Sequence, residues 1–264
     1  MEKYLVWNGS LRTAHSLEIN PLSEAWLYGY GCFETMAFSE KGIRFFAAHW
    51  ERLTQTVDEM GLECPLSQRR LGQAVEQLAV ENHCPAGTAR LSLHVDGSRV
   101  DWMVRVYPRT SAGEGGLRLS ISRFPHPGPS PLSRWKSNNY LLNLAAFREA
   151  RDAGFDETLL LHGDEVVEGS QSNLWLLKDN ELTTPPLSSG ALPGVTRQQI
   201  LTCAGKMKIK LRERPIQKSE LQQADGLFLS NTGRLFSEAE ECEGALYPSH
   251  PEMVKEIRDR LRNA

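Results

Sequence analysis

The sequence predicts a mixed α/β protein of two domains. Amphipathic stripes at helical spacing alternate with short runs of period-two hydrophobicity. At 264 residues, 40% of them hydrophobic, the chain can bury two modest cores or one large one. A glycine-rich run at 109–116, with Gly113, Gly115 and Gly116, is the best candidate for a linker, so the expected domains are 1–108 and 117–264.

Residues 45–61 carry Trp50, Leu53, Val57 and Met60 on one helical face, and Gly61 suits a left-handed C-terminal cap. Ser67 is placed to cap a second helix through Leu71, Val75 and Leu78. Between 88 and 95, Ala89, Leu91, Leu93 and Val95 alternate with Arg90, Ser92 and His94, which reads as a strand, and 102–107 is a second β run. Beyond the linker, Leu117, Leu119 and Ile121 alternate again. The proline-rich stretch 125–131 must be irregular, because repeated proline removes backbone donors. Residues 141–153 are helical and stop at Gly154, and 158–161, 173–177 and 226–230 are short strands. Gly194 opens a helix to about Met207, Ser219 and Gln222 make a capping box, and Pro251 starts a terminal helix with Met253, Ile257 and Leu261.

Composition excludes several classes of function. Thirty basic and 33 acidic residues give a net charge of -3, and basic residues are scattered, so nucleic acid is not an expected partner. No stretch approaches the roughly 20 apolar residues of a membrane-spanning helix, and the first residues lack the apolar core of a signal peptide, so the cytoplasm is the expected location. Five cysteines without a Cys-x-x-Cys pair or zinc-type histidine spacing read as reduced packing residues, with no metal. Gly-x-Ser-x-Gly, Walker-type and Gly-x-Gly-x-x-Gly motifs are all absent, which removes the main support for hydrolase, ATPase and nicotinamide readings.

Six segments carry a more specific signal: Tyr28 to Thr35 (YGYGCFET), His49 to Leu53 (HWERL), Lys136 to Leu141 (KSNNYL), Val166 to Trp175 (VVEGSQSNLW), Thr184 to Leu187 (TPPL) and Ala191 to Arg197 (ALPGVTR). In this order the chain resembles the class IV (fold type IV) pyridoxal-phosphate enzymes over residues 25–235. The resemblance implies a two-domain fold like that of D-amino-acid aminotransferase, pyridoxal 5'-phosphate held in the interdomain cleft, and a homodimer whose second subunit completes the site.

Residue by residue, the resemblance makes Lys136 the amine that condenses with the cofactor aldehyde and then moves protons, although an isolated lysine also reads as a solvated one. Glu168 matches the carboxylate that keeps the pyridine nitrogen protonated. Val195 and Thr196, at a helix start, match the phosphate-binding amides, and Thr232 a donor from the other side. Arg52 matches the fixed charge on the phosphate, while spacing alone makes it a helix-surface arginine. Tyr28, Arg90 and Arg234 are candidate substrate contacts, with solvent-facing roles equally open for both arginines. Tyr30 stands where many relatives have an acid, and the stretch between Arg90 and Tyr107, a region that shapes substrate choice, is short; both departures leave the cofactor chemistry intact.

The activity implied is 4-amino-4-deoxychorismate lyase, which releases pyruvate and 4-aminobenzoate for folate synthesis. Compact length and Thr35 in Phe33-Glu34-Thr35, where branched-chain enzymes have Phe-Glu-Gly, point that way. Thr35 is the candidate proton relay, or else a threonine chosen for strand propensity. Two rivals stand beside this reading: an aminotransferase acting on D-amino or branched-chain amino acids with 2-oxoglutarate, and a non-catalytic binding protein of the same fold.

Overall fold

The computed structural model describes residues 3–109, 115–204 and 209–263. Residues 110–114 of the expected linker, and 205–207 at the end of the helix expected to reach Met207, lie outside them. The chain divides into two compact units, Met1–Ser111 with Trp135–Tyr140, and Ala112–Arg134 with Leu141–Ala264. Segment 135–140, which the sequence reading puts in the second domain, thus belongs with the first. Backbone pairing is the reason: Phe33 N–H donates to the Lys136 carbonyl at 2.8 Å, Asn138 N–H donates to Gly31 at 2.9 Å, and Cys32 and Ser137 form an antiparallel bridge.

The first unit contains β1 (Tyr4–Trp7), β2 (Ser10–Thr13), α1 (Glu24–Tyr28), β3 (Phe33–Ser39), β4 (Gly42–Ile43), α2 (Phe46–Glu59), α3 (Gln68–Glu81), β5 (Gly87–Asp96) and β6 (Arg99–Tyr107). Its described strands form one antiparallel sheet in the order β2-β1-β6-β5-β3-β4. Helices α2 and α3 bury Leu53, Val57, Leu71, Val75 and Leu78 in a core shared with Met36, Phe38, Ala89, Leu91, Leu93 and Val104. Because side chains alternate along a strand, the residues between these point to the other face of the sheet: Phe33 and Thr35 on β3, Arg90, Ser92 and His94 on β5, Met103 and Arg105 on β6. That second face is not simply a solvated one, since Ser92 is buried and Arg90, His94 and Arg105 are half-buried. Ser67 caps α3 as expected, and Gly61 has φ +69° just past α2.

In the second unit lie β7 (Leu117–Ile121), α4 (Pro131–Arg134), α5 (Leu141–Asp152), β8 (Glu157–His162), β9 (Glu165–Gly169), β10 (Asn173–Lys178), β11 (Glu181–Thr184), α6 (Val195–Ala204), β12 (Lys210–Glu213), β13 (Ile216–Gln217), α7 (Lys218–Leu221), β14 (Gly226–Asn231), β15 (Leu235–Cys242), β16 (Ala245–Leu246) and α8 (Pro251–Asn263). They build a mixed sheet in the order β12-β11-β10-β14-β15-β7-β8-β9-β13, with β16 beside β15. One face buries Leu119, Leu159, Val166, Leu174, Leu176, Leu227 and Leu229. On the other, Phe228 stacks on Phe236 at 4.9 Å and Trp175 meets the same ring edge-on. The capping box of α7 is formed by Gln217 and Glu220, not by Ser219 and Gln222, because β13 runs directly into the helix and starts it two residues early.

The closest approach in the first unit is at Gly31. Its φ is +144°, and a Cβ there would sit 2.1 Å from the Leu93 carbonyl oxygen and 2.8 Å from Asn138 Nδ2. We expect Gly31→Ala to lose well over about 1 kcal/mol of stability in urea denaturation, and to loosen segment 135–140 because Asn138 is displaced from Leu93. Wild-type stability in that variant would contradict this packing.

Candidate active site

Lys136 sits on an irregular segment, yet its surroundings are specific. Its Nζ lies 4.3 Å from the centroid of the Phe33 ring and 5.2 Å from that of Tyr140, and these two rings meet edge-on at 5.3 Å. The Arg90 guanidinium lies 3.7 Å from the same Phe33 centroid. Two cations on one aromatic ring are individually favourable and mutually repulsive. Thr35 is half-buried on this face and in register with Arg90.

Arg52 projects from α2 and meets a buried acid of β3. Its Nε donates to Glu34 Oε1 and one Nη to Glu34 Oε2, both at 2.7 Å, a bidentate pair, and His49 Nδ1 donates to Oε2 at 2.8 Å. The strand alternation that sends Phe33 and Thr35 to the face of Arg90 sends Glu34 into the core with Met36, where it is 2% exposed. Burial pushes the Glu34 carboxyl upward, but the Arg52 charge and the hydrogen bonds from His49 and Arg52 prevail and bring it down to about 2. Arg52 is therefore no loose surface residue: its fork is oriented by a buried anion.

In the second unit a β-bulge decides where Glu168 points. Leu161 pairs with Val166 and Leu160 with Glu168, so Val167 is the extra residue. Val166 faces the leucine core, and without the bulge Glu168 would face it too; the insertion turns Glu168 to the other side. There its Oε2 accepts from Leu192 N–H at 2.9 Å and from Asn173 Nδ2 at 3.4 Å, while His126 Nε2 lies 3.7 Å from Oε1, beyond hydrogen-bonding distance. Among the described residues no lysine or arginine pairs with it. One carboxylate oxygen is fixed, and the other accepts no hydrogen bond from the described residues.

Asn173 also donates to the Leu192 carbonyl at 2.9 Å, and Gly194 comes so near it that a Cβ would meet Asn173 Oδ1 at 1.9 Å. This brings Glu168 and the start of α6 to one place. The ladder of α6 begins with Gln198 N–H donating to Gly194 at 2.9 Å, so the Val195 and Thr196 amides lie ahead of its first backbone bond. Thr232 lies in the turn between β14 and β15, held by Arg234 N–H donating to Asn231 Oδ1 and by Asn231 Nδ2 donating to Gln171, which joins it to the loop after Glu168.

The structure brings together Lys136, Arg90 and Thr35 in the first unit, and Glu168, Val195 and Thr196 in the second. Arg234 is half-buried with Nη1 unpaired, and its charge acts on buried Glu157, which accepts from the Ser170 and Ser172 hydroxyls and which burial pushes above the usual carboxylate range. Tyr28, at the end of α1, is 70% exposed. Sequence reasoning missed Glu34, His49, Phe33 and Tyr140, although all lie in the motifs; a buried-parity acid opposite an arginine of the next helix was the signal available for Glu34. His126, in the proline-rich loop, carried none.

The family described as amino-transferase class IV matches residues 31–242. The chain belongs to that family. It is 28% identical to a branched-chain-amino-acid aminotransferase of Pseudomonas aeruginosa, over 91% of this chain and 85% of that one, and 26% identical to an aminodeoxychorismate lyase of Bacillus subtilis, over 85% and 82%. Its fold superposes on the branched-chain aminotransferase of Thermoproteus uzoniensis solved with norvaline, with a TM-score of 0.88 and 25% identity over 98% of this chain and 93% of that one. Class IV enzymes use pyridoxal 5'-phosphate, and groups in each unit fit it: in the first a lysine beside two rings, and in the second a buried carboxylate with one uncommitted oxygen close to a helix start that carries a threonine hydroxyl. Within the described residues no helix is long and apolar enough to cross a membrane, and no metal-ligating cluster is found.

Two outcomes follow. Borohydride treatment of the cofactor-loaded protein and peptide mapping should place a pyridoxyl label on Lys136, and a label on another lysine would dismiss the assignment. Glu34→Gln leaves the Arg52 charge without its buried anion, so a cost of about 3–5 kcal/mol is expected in urea melts near neutral pH. Glu34 contributes stability above its ordinary value of 4.5 and loses it as pH falls through about 2, so the gap between wild type and variant should close across that window.

Proposed function

We propose that this class IV enzyme is a 4-amino-4-deoxychorismate lyase, forming pyruvate and 4-aminobenzoate and so serving folate synthesis. The observation carrying the reading is Thr35, a hydroxyl on the strand face that holds Phe33, against whose ring Lys136 rests, and in register with Arg90. In the first unit Lys136 would hold the cofactor aldehyde and Arg52 a phosphate charge; in the second Glu168 would hold the ring nitrogen, and Val195, Thr196 and Thr232 would donate to the phosphate. The cofactor, when bound, supplies an electron sink for the substrate carbanion.

The chain's residues then divide the proton work. Lys136 takes the proton from the amine-bearing ring carbon. The C–O bond to the enolpyruvyl group breaks, the ring becomes aromatic, and the departing enol gains a proton on carbon to give pyruvate. Thr35 would relay that proton from Lys136, which balances the reaction without an outside acid. Glu34 and His49 keep Arg52 aimed, and Arg90 meets a substrate carboxylate.

Transfer of an amino group to 2-oxoglutarate is the second reading, favoured by relatives named branched-chain-amino-acid aminotransferases, which align with more of the chain than the lyase does. A homodimer suits the exposed apolar patch of Leu22, Trp26, Leu27 and Tyr28, whose area would otherwise face water, and five free thiols suit the reducing cytoplasm. Sedimentation showing only monomer at micromolar concentration would remove the dimer.

The deciding assay supplies aminodeoxychorismate and follows pyruvate and 4-aminobenzoate. Thr35→Val should slow release by about 100-fold or more, the scale of lost general acid catalysis, with cofactor binding retained. Wild-type protein that forms no 4-aminobenzoate but aminates 2-oxoglutarate at ordinary rates would replace the lyase reading with the second one.

A further inference from the structure

We propose that His126 is a positioning residue for Glu168: a neutral imidazole that sets an N–H, and no charge, beside the second carboxylate oxygen. The proposal rests on the reading above in which Glu168 meets the ring nitrogen of the cofactor. His126 is buried in the proline-rich loop, with Nε2 3.7 Å from Glu168 Oε1. Its tautomer follows from its other nitrogen. Gly128 N–H donates to Nδ1 at 3.0 Å, so Nδ1 keeps its lone pair and the neutral ring carries its proton on Nε2. A second proton would displace Gly128 from Nδ1 and leave a buried backbone donor unpaired. The ring therefore offers Glu168 a dipole.

The surrounding chain holds that ring in place. His126 N–H donates to the Leu161 carbonyl at 2.7 Å, and the His126 carbonyl lies 3.2 Å from His162 Nδ1. Gly190, at φ +98°, closes over the loop: a Cβ there would lie 2.4 Å from the Gly128 carbonyl oxygen and 3.0 Å from His126 Cε1. Two residues on, Leu192 N–H donates to Glu168 Oε2. The segment that confines the imidazole thus also fixes the carboxylate, with Leu192 and Asn173 on one oxygen and His126 near the other.

A second buried pair of the same residue types, in the first unit, shows what is different here. His49 Nδ1 meets Glu34 Oε2 at 2.8 Å and Arg52 completes the set, so that carboxylate is committed within the protein. At Glu168 the histidine stands back to 3.7 Å, and no lysine or arginine among the described residues pairs with the acid. A cation there would compete with a protonated ring nitrogen for the same negative charge. A neutral N–H in a low-dielectric site supports that charge and leaves it to be shared. His126 suits a carboxylate that has to pair with a ligand's cation and not with one of the protein's own.

Two substitutions separate the ring's nitrogens. In His126→Asn the side-chain oxygen can still accept from Gly128, as Nδ1 does, and the N–H near Glu168 is gone; in His126→Gln an N–H reaches the Nε2 position and the acceptor is lost. Both variants, Glu168→Gln and wild type are titrated with pyridoxal 5'-phosphate and with an analogue carrying carbon in place of the ring nitrogen. Binding is followed by cofactor absorbance, with urea melts alongside. Wild type should prefer the nitrogen-bearing cofactor. His126→Asn should lower that preference by about 5-fold, the scale of one neutral hydrogen bond, whereas His126→Gln should keep it within about 2-fold and lose more stability in urea. With Glu168→Gln already in place, His126→Asn should change the preference by less than about 2-fold. A preference unchanged in His126→Asn, lowered equally in the Glu168→Gln background, or lost in His126→Gln alone would overturn the proposal. Nitrogen-15 shifts of the wild-type His126 ring serve if the variants do not fold: a proton on Nε2 is expected, and one on Nδ1 would overturn the proposal. A wild-type preference in Glu168→Gln would dismiss the reading of Glu168 itself, and the proposal with it.

Discussion

The hydrogen bond from Phe33 N–H to the Lys136 carbonyl governs the first unit. Lysine is long and flexible, and on a loose loop its amine would sample a wide volume at a rotamer-entropy cost on the order of 2 kcal/mol when ordered. Here the backbone on either side is laid along the start of β3, with Cys32 bridged to Ser137 and Asn138 reaching Gly31 and Leu93. The side chain emerges beside the rings of Phe33 and Tyr140. Arg90 reaches the same ring from the neighbouring strand because β3 and β5 are in fixed register. A one-residue slip would send Thr35 and Phe33 into the core and Glu34 outward, so strand register and chemistry are one constraint.

Three buried carboxylates show how environment assigns role. Glu34 is paired with a bidentate arginine and stays charged; its work is to orient that arginine. Glu157 is equally buried but is met mainly by serine hydroxyls, and desolvation raises its pKa; it braces the loop that follows β9. Glu168 has no lysine or arginine partner among the described residues, and its donors gather on one side: Leu192 and Asn173 secure one oxygen. Of the three, only Glu168 has an oxygen to spare, and it is the one a bulge has turned from the core.

Much of this was legible in the sequence because it follows from periodicity. The stripes of α2 and α3, the cap at Ser67, and the alternation of β5 come from spacing and from side-chain oxygens that satisfy free amides. What escaped depends on pairing between distant segments. Short strands such as β4, β13 and β16, two residues each, gain order from neighbours and carry no period of their own. Trp135–Tyr140 follows the expected linker in sequence yet adds to the first unit, since composition marks breaks and not returns. The bulge at Val167 was likewise hidden: Val-Val-Glu-Gly reads the same whichever face the glutamate takes.

In each unit strand residues of one parity pack into an aliphatic core; the other parity carries polar groups in the first unit, and in the second it carries both Glu168 and the buried rings of Trp175, Phe228 and Phe236. In the first unit regular alternation is enough, because Phe33, Thr35, Arg90 and Arg105 all fall on the uncovered parity. The second unit needs Glu168 on a strand whose neighbouring parity is already committed to the core, and it inserts one residue to change face. The insertion leaves Val166 packed while freeing Glu168, so stability and chemistry are separated over two positions. Val166 thus serves the core and Glu168 does not, and the same division sets Leu91, in the core, apart from Arg90 beside it.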